Sequence, residues 1–114
     1  MKTWTPPTAV EVERVLEEMV RRIVEGFDPE KIILFGSQAR GDAGPDSDID
    51  LLVVMETDSR RRSAVAIRMA LDDIVIPKDV AVIPPGEFSR DRHVVGTIAN
   101  AAEHEGRVLH VRRR

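Results

Sequence analysis

Apolar residues recur at steps of three and four early in the chain: Val12, Val15, Leu16, Met19, Val20, Ile23 and Phe27. That spacing predicts an amphipathic helix of about 18 residues, ending near Gly26. Thr8 and Glu11 stand ahead of it at capping-box spacing, where hydroxyl and carboxylate satisfy two backbone donors reciprocally. The run Lys31–Phe35, with two adjacent isoleucines, suits a buried strand. Residues 36–47 are polar and hold Gly36, Gly41, Gly44 and Pro45, which predicts a loop with one helical turn. Residues 49–55 form a second apolar strand. A second helix is expected over 60–74, capped by Asp58 or Ser59, with Ala64, Ile67, Leu71 and Ile74 on one face and Pro77 beyond its end. A third strand is expected at 79–83, followed by Pro84-Pro85-Gly86. A third helix is expected over 89–105, closed by Gly106, and a short last strand over 108–111.

The order helix, strand, strand, helix, strand, helix, strand predicts the α/β (α+β) class. The chain has 114 residues, which suits a single domain at 1–114, with residues 1–7 as a flexible lead-in and 112–114 as a tail. The loop between the first two strands is long for a hairpin, about 13 residues, and loops of that length are often functional.

Composition narrows the classes of activity. Lys and Arg number 17 against 20 Asp and Glu, a net charge of −3, without the basic excess of a duplex binder. Aromatics are three Phe and one Trp, too few for the stacking platforms of single-strand binders, so no direct nucleic-acid binding is expected. Cysteine is absent, which removes disulfides and thiolate chemistry and fits a reducing cytoplasm. No apolar stretch approaches the roughly 20 residues of a membrane span, and no signal peptide is expected. His93, His104 and His110 lack ligand spacing and read as surface residues. Trp4 reads as a packing residue. Arg60-Arg61-Arg62 and the Arg112-Arg113-Arg114 tail read as solvated charge.

The candidate chemistry lies in residues 34–54. Asp48 and Asp50, at a strand start, share a face because strand side chains alternate with period 2. Paired carboxylates repel unless neutralised, and oxygen ligands of this kind suit Mg²⁺ together with substrate phosphates. Asp79 opens the third strand and reaches the same cluster if the two strands are neighbours. Three carboxylates can hold two ions roughly 3.5–4 Å apart for in-line displacement at phosphorus. Gly36 would let a phosphate approach the backbone, Ser37 offers a hydroxyl, and a turn starting near Gln38 would add free amides. Taken singly, each feature has a plain reading: surface carboxylates, a turn, an edge residue, a solvated Arg40.

Their order and spacing together resemble the minimal nucleotidyltransferases of the polymerase β superfamily. The signature is Gly-Ser, about ten residues, then Asp-x-Asp; here Gly36-Ser37 precedes Asp48-Ile49-Asp50, with Leu34-Phe35, Arg40-Gly41 and Ser47-Asp48 as matching flanks. The resemblance covers about residues 12–111. It implies the polymerase β-like fold, a small mixed sheet packed against helices. It implies Asp48, Asp50 and Asp79 as catalytic metal ligands for Mg²⁺, two ions, and Gly36, Ser37 and Arg40 as binders of the triphosphate of an ATP donor. Larger relatives carry an added acceptor-binding domain for which this chain has no room. The resemblance therefore implies an antitoxin that transfers AMP to a hydroxyl of a partner protein, a HEPN-type toxin. With no Tyr of its own, the chain cannot modify itself on tyrosine. Two alternatives stay open: a non-catalytic module that blocks its partner sterically, and a small-molecule, aminoglycoside-type transferase built as a homodimer.

Overall fold

The computed structural model describes residues 7–41 and 48–113. The lead-in with Trp4, the loop segment 42–47 and Arg114 of the tail lie outside the described residues. In chain order the elements are α1 (Ala9–Phe27), β1 (Lys31–Phe35), α2 (Ser37–Arg40), β2 (Ile49–Val54), α3 (Arg60–Ala70), β3 (Lys78–Ile83), α4 (Pro85–Asp91), α5 (Ile98–Glu105) and β4 (Arg107–Val111).

Helix α1 starts as its cap predicts: the Glu11 N–H donates to Thr8 Oγ1 at 3.2 Å. It runs past Gly26, and Asp28 takes the left-handed position at φ 46°, a conformation Asp tolerates better than most residues. Helix α3 caps on Ser59, whose hydroxyl accepts from the Arg62 N–H. It ends at Ala70 rather than at Ile74, because the chain tightens into turns there: Asp72 N–H bonds Met69 O and Ile74 N–H bonds Leu71 O.

The expected third helix is two helices. Pro85 sits in the first turn of α4, where its missing N–H costs nothing. The chain then breaks at Gly96, φ 94°, and Thr97 starts α5 by accepting from the Asn100 N–H at 3.1 Å. Asn100 Nδ2 also donates to Arg92 O at 2.9 Å and holds the break closed.

The strands form one mixed sheet in the order β3-β2-β1-β4. β1 runs antiparallel to both β2 and β4, and β2 runs parallel to β3, with α3 as the connection. Both faces are covered. Ile32, Leu34, Ile49, Leu51, Val53, Val80 and Val82 pack against Leu16, Met19 and Ile23 of α1 and Ile67 of α3. Ile33, Leu52, Val54 and Ile83 pack against Phe88 of α4 and Ala99 and Ala102 of α5. Burial on both faces explains why the strands read as continuous apolar runs. Each fully buried Leu or Ile contributes roughly 1.5–3 kcal/mol. Among the described residues no helix is long and apolar enough to cross a membrane.

Candidate active site

The candidate residues gather at one end of the sheet. β1 ends there in Phe35, and β2 and β3 begin there. Phe35 pairs with Asp50 across β1 and β2, and Asp50 pairs with Asp79 across β2 and β3. The strand adjacency that Asp79 needed is therefore present. Asp50 is only partly exposed; Asp48, one residue before the strand, and Asp79 are exposed.

Gly36 turns the chain out of β1 at φ 75° and ψ −159°, a region in which a side chain is strained. Its Cα also lies against the Asp50 carboxylate: a Cβ built there would come within 2.5 Å of Asp50 Oδ2. Glycine is thus required twice, by conformation and by contact. The turn and the carboxylate touch, although the whole loop between β1 and β2 separates them in the sequence.

Helix α2 begins at Ser37, one residue earlier than expected. The amides of Ala39 and Arg40 both donate to Gly36 O at 3.1 Å and are spent within the turn. Among the described residues no hydrogen bond engages the Ser37 hydroxyl, which is the donor this turn offers. Arg40, in the last turn, forms an ion pair with Glu105 Oε2 of α5 at 3.5 Å. That pair ties the loop to the end of α5, a link the sequence did not suggest.

Burial pushes the Asp50 carboxyl above the usual carboxylate range, and the nearby charges of Asp79 and then Asp48 push it further. Among the described residues no Lys or Arg pairs with it. Asp79 Oδ1 accepts from the Val80 N–H at 3.1 Å. Among the described residues no three His, Cys, Asp or Glu side chains are already gathered closely enough to enclose an ion. The donor set still fits Mg²⁺, which is held by one or two carboxylates plus substrate phosphates rather than by an all-protein cage. The partly buried Asp50 carboxylate, with Asp79 paired beside it and Asp48 two residues before it, is the group such an ion would neutralise.

A family model for the nucleotidyltransferase domain matches residues 12–105, most of the chain. The chain belongs to the nucleotidyltransferase domain family. A protein from Sulfolobus solfataricus, provisionally assigned as a nucleotidyltransferase, is similar in fold. It aligns with a TM-score of 0.64 and 22% identity over 90% of this chain and 83% of that chain. Two further structures are a toxin–antitoxin with AMP-PNP and a mutant of the toxin–antitoxin MntA–HpeT. Both align at a TM-score of 0.49, with 21% and 19% identity, over 86% of this chain and 74% of each of those chains. Comparison with curated protein sequences finds no match. The mixed sheet between helices is the polymerase β-like architecture that the motif implied. In this nucleotidyltransferase domain the Gly36-Ser37 turn and the three carboxylates share one end of the sheet, and Arg40 stands beside them, turned toward α5.

Proposed function

We propose that this nucleotidyltransferase domain transfers AMP from ATP to a hydroxyl of a partner protein. The observation that carries the transfer chemistry is the contact between the Gly36 turn and the Asp50 carboxylate, with Asp79 in register beside it. The protein acceptor rests on the likeness of residues 34–54 to minimal nucleotidyltransferases, and makes the domain the antitoxin of a HEPN-type toxin. The lack of cysteine supports a cytoplasmic setting.

Asp48 and Asp50 would hold Mg²⁺, with Asp79 joining for a second ion. Bound there, the ions would offset the charge of the triphosphate and of the displaced pyrophosphate. Gly36, without a side chain, would let the phosphates approach the backbone, and Ser37 would donate a hydrogen bond from its hydroxyl to an outer phosphate oxygen. Arg40 supplies positive charge once it leaves Glu105. Asp79, the outermost carboxylate, accepts the proton of the acceptor hydroxyl. That oxygen then bonds to the α-phosphorus as the bond to the pyrophosphate oxygen breaks, so that pyrophosphate departs with the electron pair.

The test combines the full chain, Mg²⁺, α-labelled ATP and a HEPN-type protein that binds it. Label on the bound partner is expected. Asp48→Asn with Asp50→Asn should lower transfer at least about a hundredfold while leaving the circular dichroism spectrum unchanged. A bound partner that never acquires label would overturn the catalytic reading, and unaltered transfer by the double variant would overturn the site.

A further inference from the structure

β3 ends the sheet among the described residues, so one side of it has no strand partner. Which of its backbone groups face that side follows from two hydrogen bonds. Pro77 O accepts from the Ile49 N–H at 2.9 Å, and Ile83 O accepts from the Met55 N–H at 3.0 Å. Odd-numbered positions therefore turn toward β2. By the two-residue period, Lys78, Val80 and Val82 turn their N–H and C=O groups outward. The outward Val80 N–H is the one that Asp79 Oδ1 caps at 3.1 Å. The carboxylate that stands opposite Asp50 is thus occupied in covering a strand edge.

Beside this edge α3 forms a ledge. A groove of about 300 Å³ is lined by Val65, Arg68, Met69, Asp72 and Lys78. Val65 and Met69, four residues apart on one stripe of the helix, are 48% and 72% exposed. The groove carries Arg68 and Lys78 against Asp72; the Lys78 ammonium already donates to Ile74 O and Ile76 O, so Arg68 is the cation offered to a docked chain. An edge with alternate outward donors and acceptors is matched by an extended chain, and the ledge offers that chain apolar contact and a preference for an acidic residue.

We propose that an extended segment of the acceptor protein docks as an added strand on the free edge of β3, and that its pairing with Val80 releases Asp79. The incoming carbonyl takes the Val80 N–H. Asp79 Oδ1 loses that partner and becomes available to the acceptor hydroxyl and to the Asp48–Asp50 side of the site. The other sheet edge, β4, cannot serve in this way. It lies three strand spacings from β3, roughly 14 Å. The naming of the docked chain as the acceptor and the use of Asp79 rest on the transferase reading; strand pairing on β3 does not.

The experiment uses the ¹³C,¹⁵N-labelled full chain and a synthetic peptide of about ten residues, alternating Val and Thr around a central Tyr with one Glu flank, without Mg²⁺ or ATP. The Lys78, Val80 and Val82 amides should shift together, with the Asp79 carboxyl carbon following the same midpoint. Met69→Asp, at an exposed position outside the catalytic site, should weaken binding about tenfold, one decade of Kd. A peptide N-methylated at its pairing positions should not bind. Shifts confined to β4, no shift at all, or self-association of the chain through β3 would overturn the docking. A Val80 shift without movement of Asp79 would overturn the release. With Mg²⁺ and labelled ATP added, an occupied edge without label transfer counts against the transferase reading and leaves the docking intact. Transfer by Met69→Asp at the unaltered rate, with the peptide well below its Kd, does the reverse.

Discussion

Asp50 and Leu52 lie two residues apart on one face of β2, in adjoining rows of the sheet. Leu52 sits between Ile33 and Ala81, is fully buried, and packs on α4 and α5. Asp50 sits between Phe35 and Asp79, with the Gly36 turn against its carboxylate. One row holds the fold together and the next places like charges side by side, so the sheet's site end carries a local cost that the core row must offset. Substitutions in the two rows should therefore move stability in opposite directions.

The core row should give the largest effect. Leu52→Ala removes a side chain that the two helices cannot follow inward, and should destabilise the protein by about 2–5 kcal/mol in a urea titration. A loss below about 1 kcal/mol would show that the α4 and α5 face is loosely packed. Gly36→Ala comes next. Strain in the positive-φ turn costs about 1–3 kcal/mol, and the new Cβ forces the Asp50 carboxylate aside. Stability and AMP transfer should fall together, which Leu52→Ala would not produce at temperatures well below its own melting point.

Asp50→Asn sharpens the comparison by reversing its sign. The carboxyl is raised by burial and by its neighbours' charges, so the native state holds that proton more tightly than the unfolded chain does. The stabilisation from the protonated group is complete below the ordinary value and is lost as pH rises through the raised one. The variant should match the parent in acid, and then gain a melting-temperature advantage that widens as pH rises and levels off. The gain should reach up to about 1 kcal/mol, with transfer abolished. A parent more stable than Asp50→Asn at neutral pH would mean that the carboxylate is compensated within the protein.

The same contrast decides what could be read from sequence. β1 matches its apolar run because Pro29 and Gly36 bound it, and both faces of the sheet demand apolar side chains. The division between α4 and α5 was hidden, because Val94 and Val95 continue an apolar run; in the structure they are exposed, Val95 at 89%. The signals were Pro85 as a helix start and Gly96-Thr97 as a stop and a new cap. At the candidate site, the place of Asp48 and Asp50 at the start of β2 was legible from the apolar run that follows them. The position of Asp79 depended on which strands are neighbours, a tertiary fact. Gly36 was legible as the residue that ends β1, whereas its contact with Asp50 and the bond from Val80 to Asp79 arise only when the strands assemble.

Paired charges should matter least, and that is the control on the comparison. Arg107, at the start of β4, grips Glu13 of α1 with two hydrogen bonds, at 2.8 and 2.7 Å. The Arg107 guanidinium holds the Glu13 carboxyl below its ordinary value, chiefly through those bonds. The sign is therefore opposite to that of Asp50: this contribution is present above the ordinary carboxylate value and fades as pH falls through the lowered one. Both side chains are about half exposed, 49% and 50%, so water and salt screen most of the attraction. A double-mutant cycle of Arg107→Gln and Glu13→Gln should give a coupling of about 0.2–1 kcal/mol, shrinking in high salt. A coupling as large as the Leu52→Ala loss would mean that α1 is held on the sheet by charge. The dense apolar contact of Leu16, Met19 and Ile23 against the sheet argues the contrary, because each of those side chains is almost fully withdrawn from water.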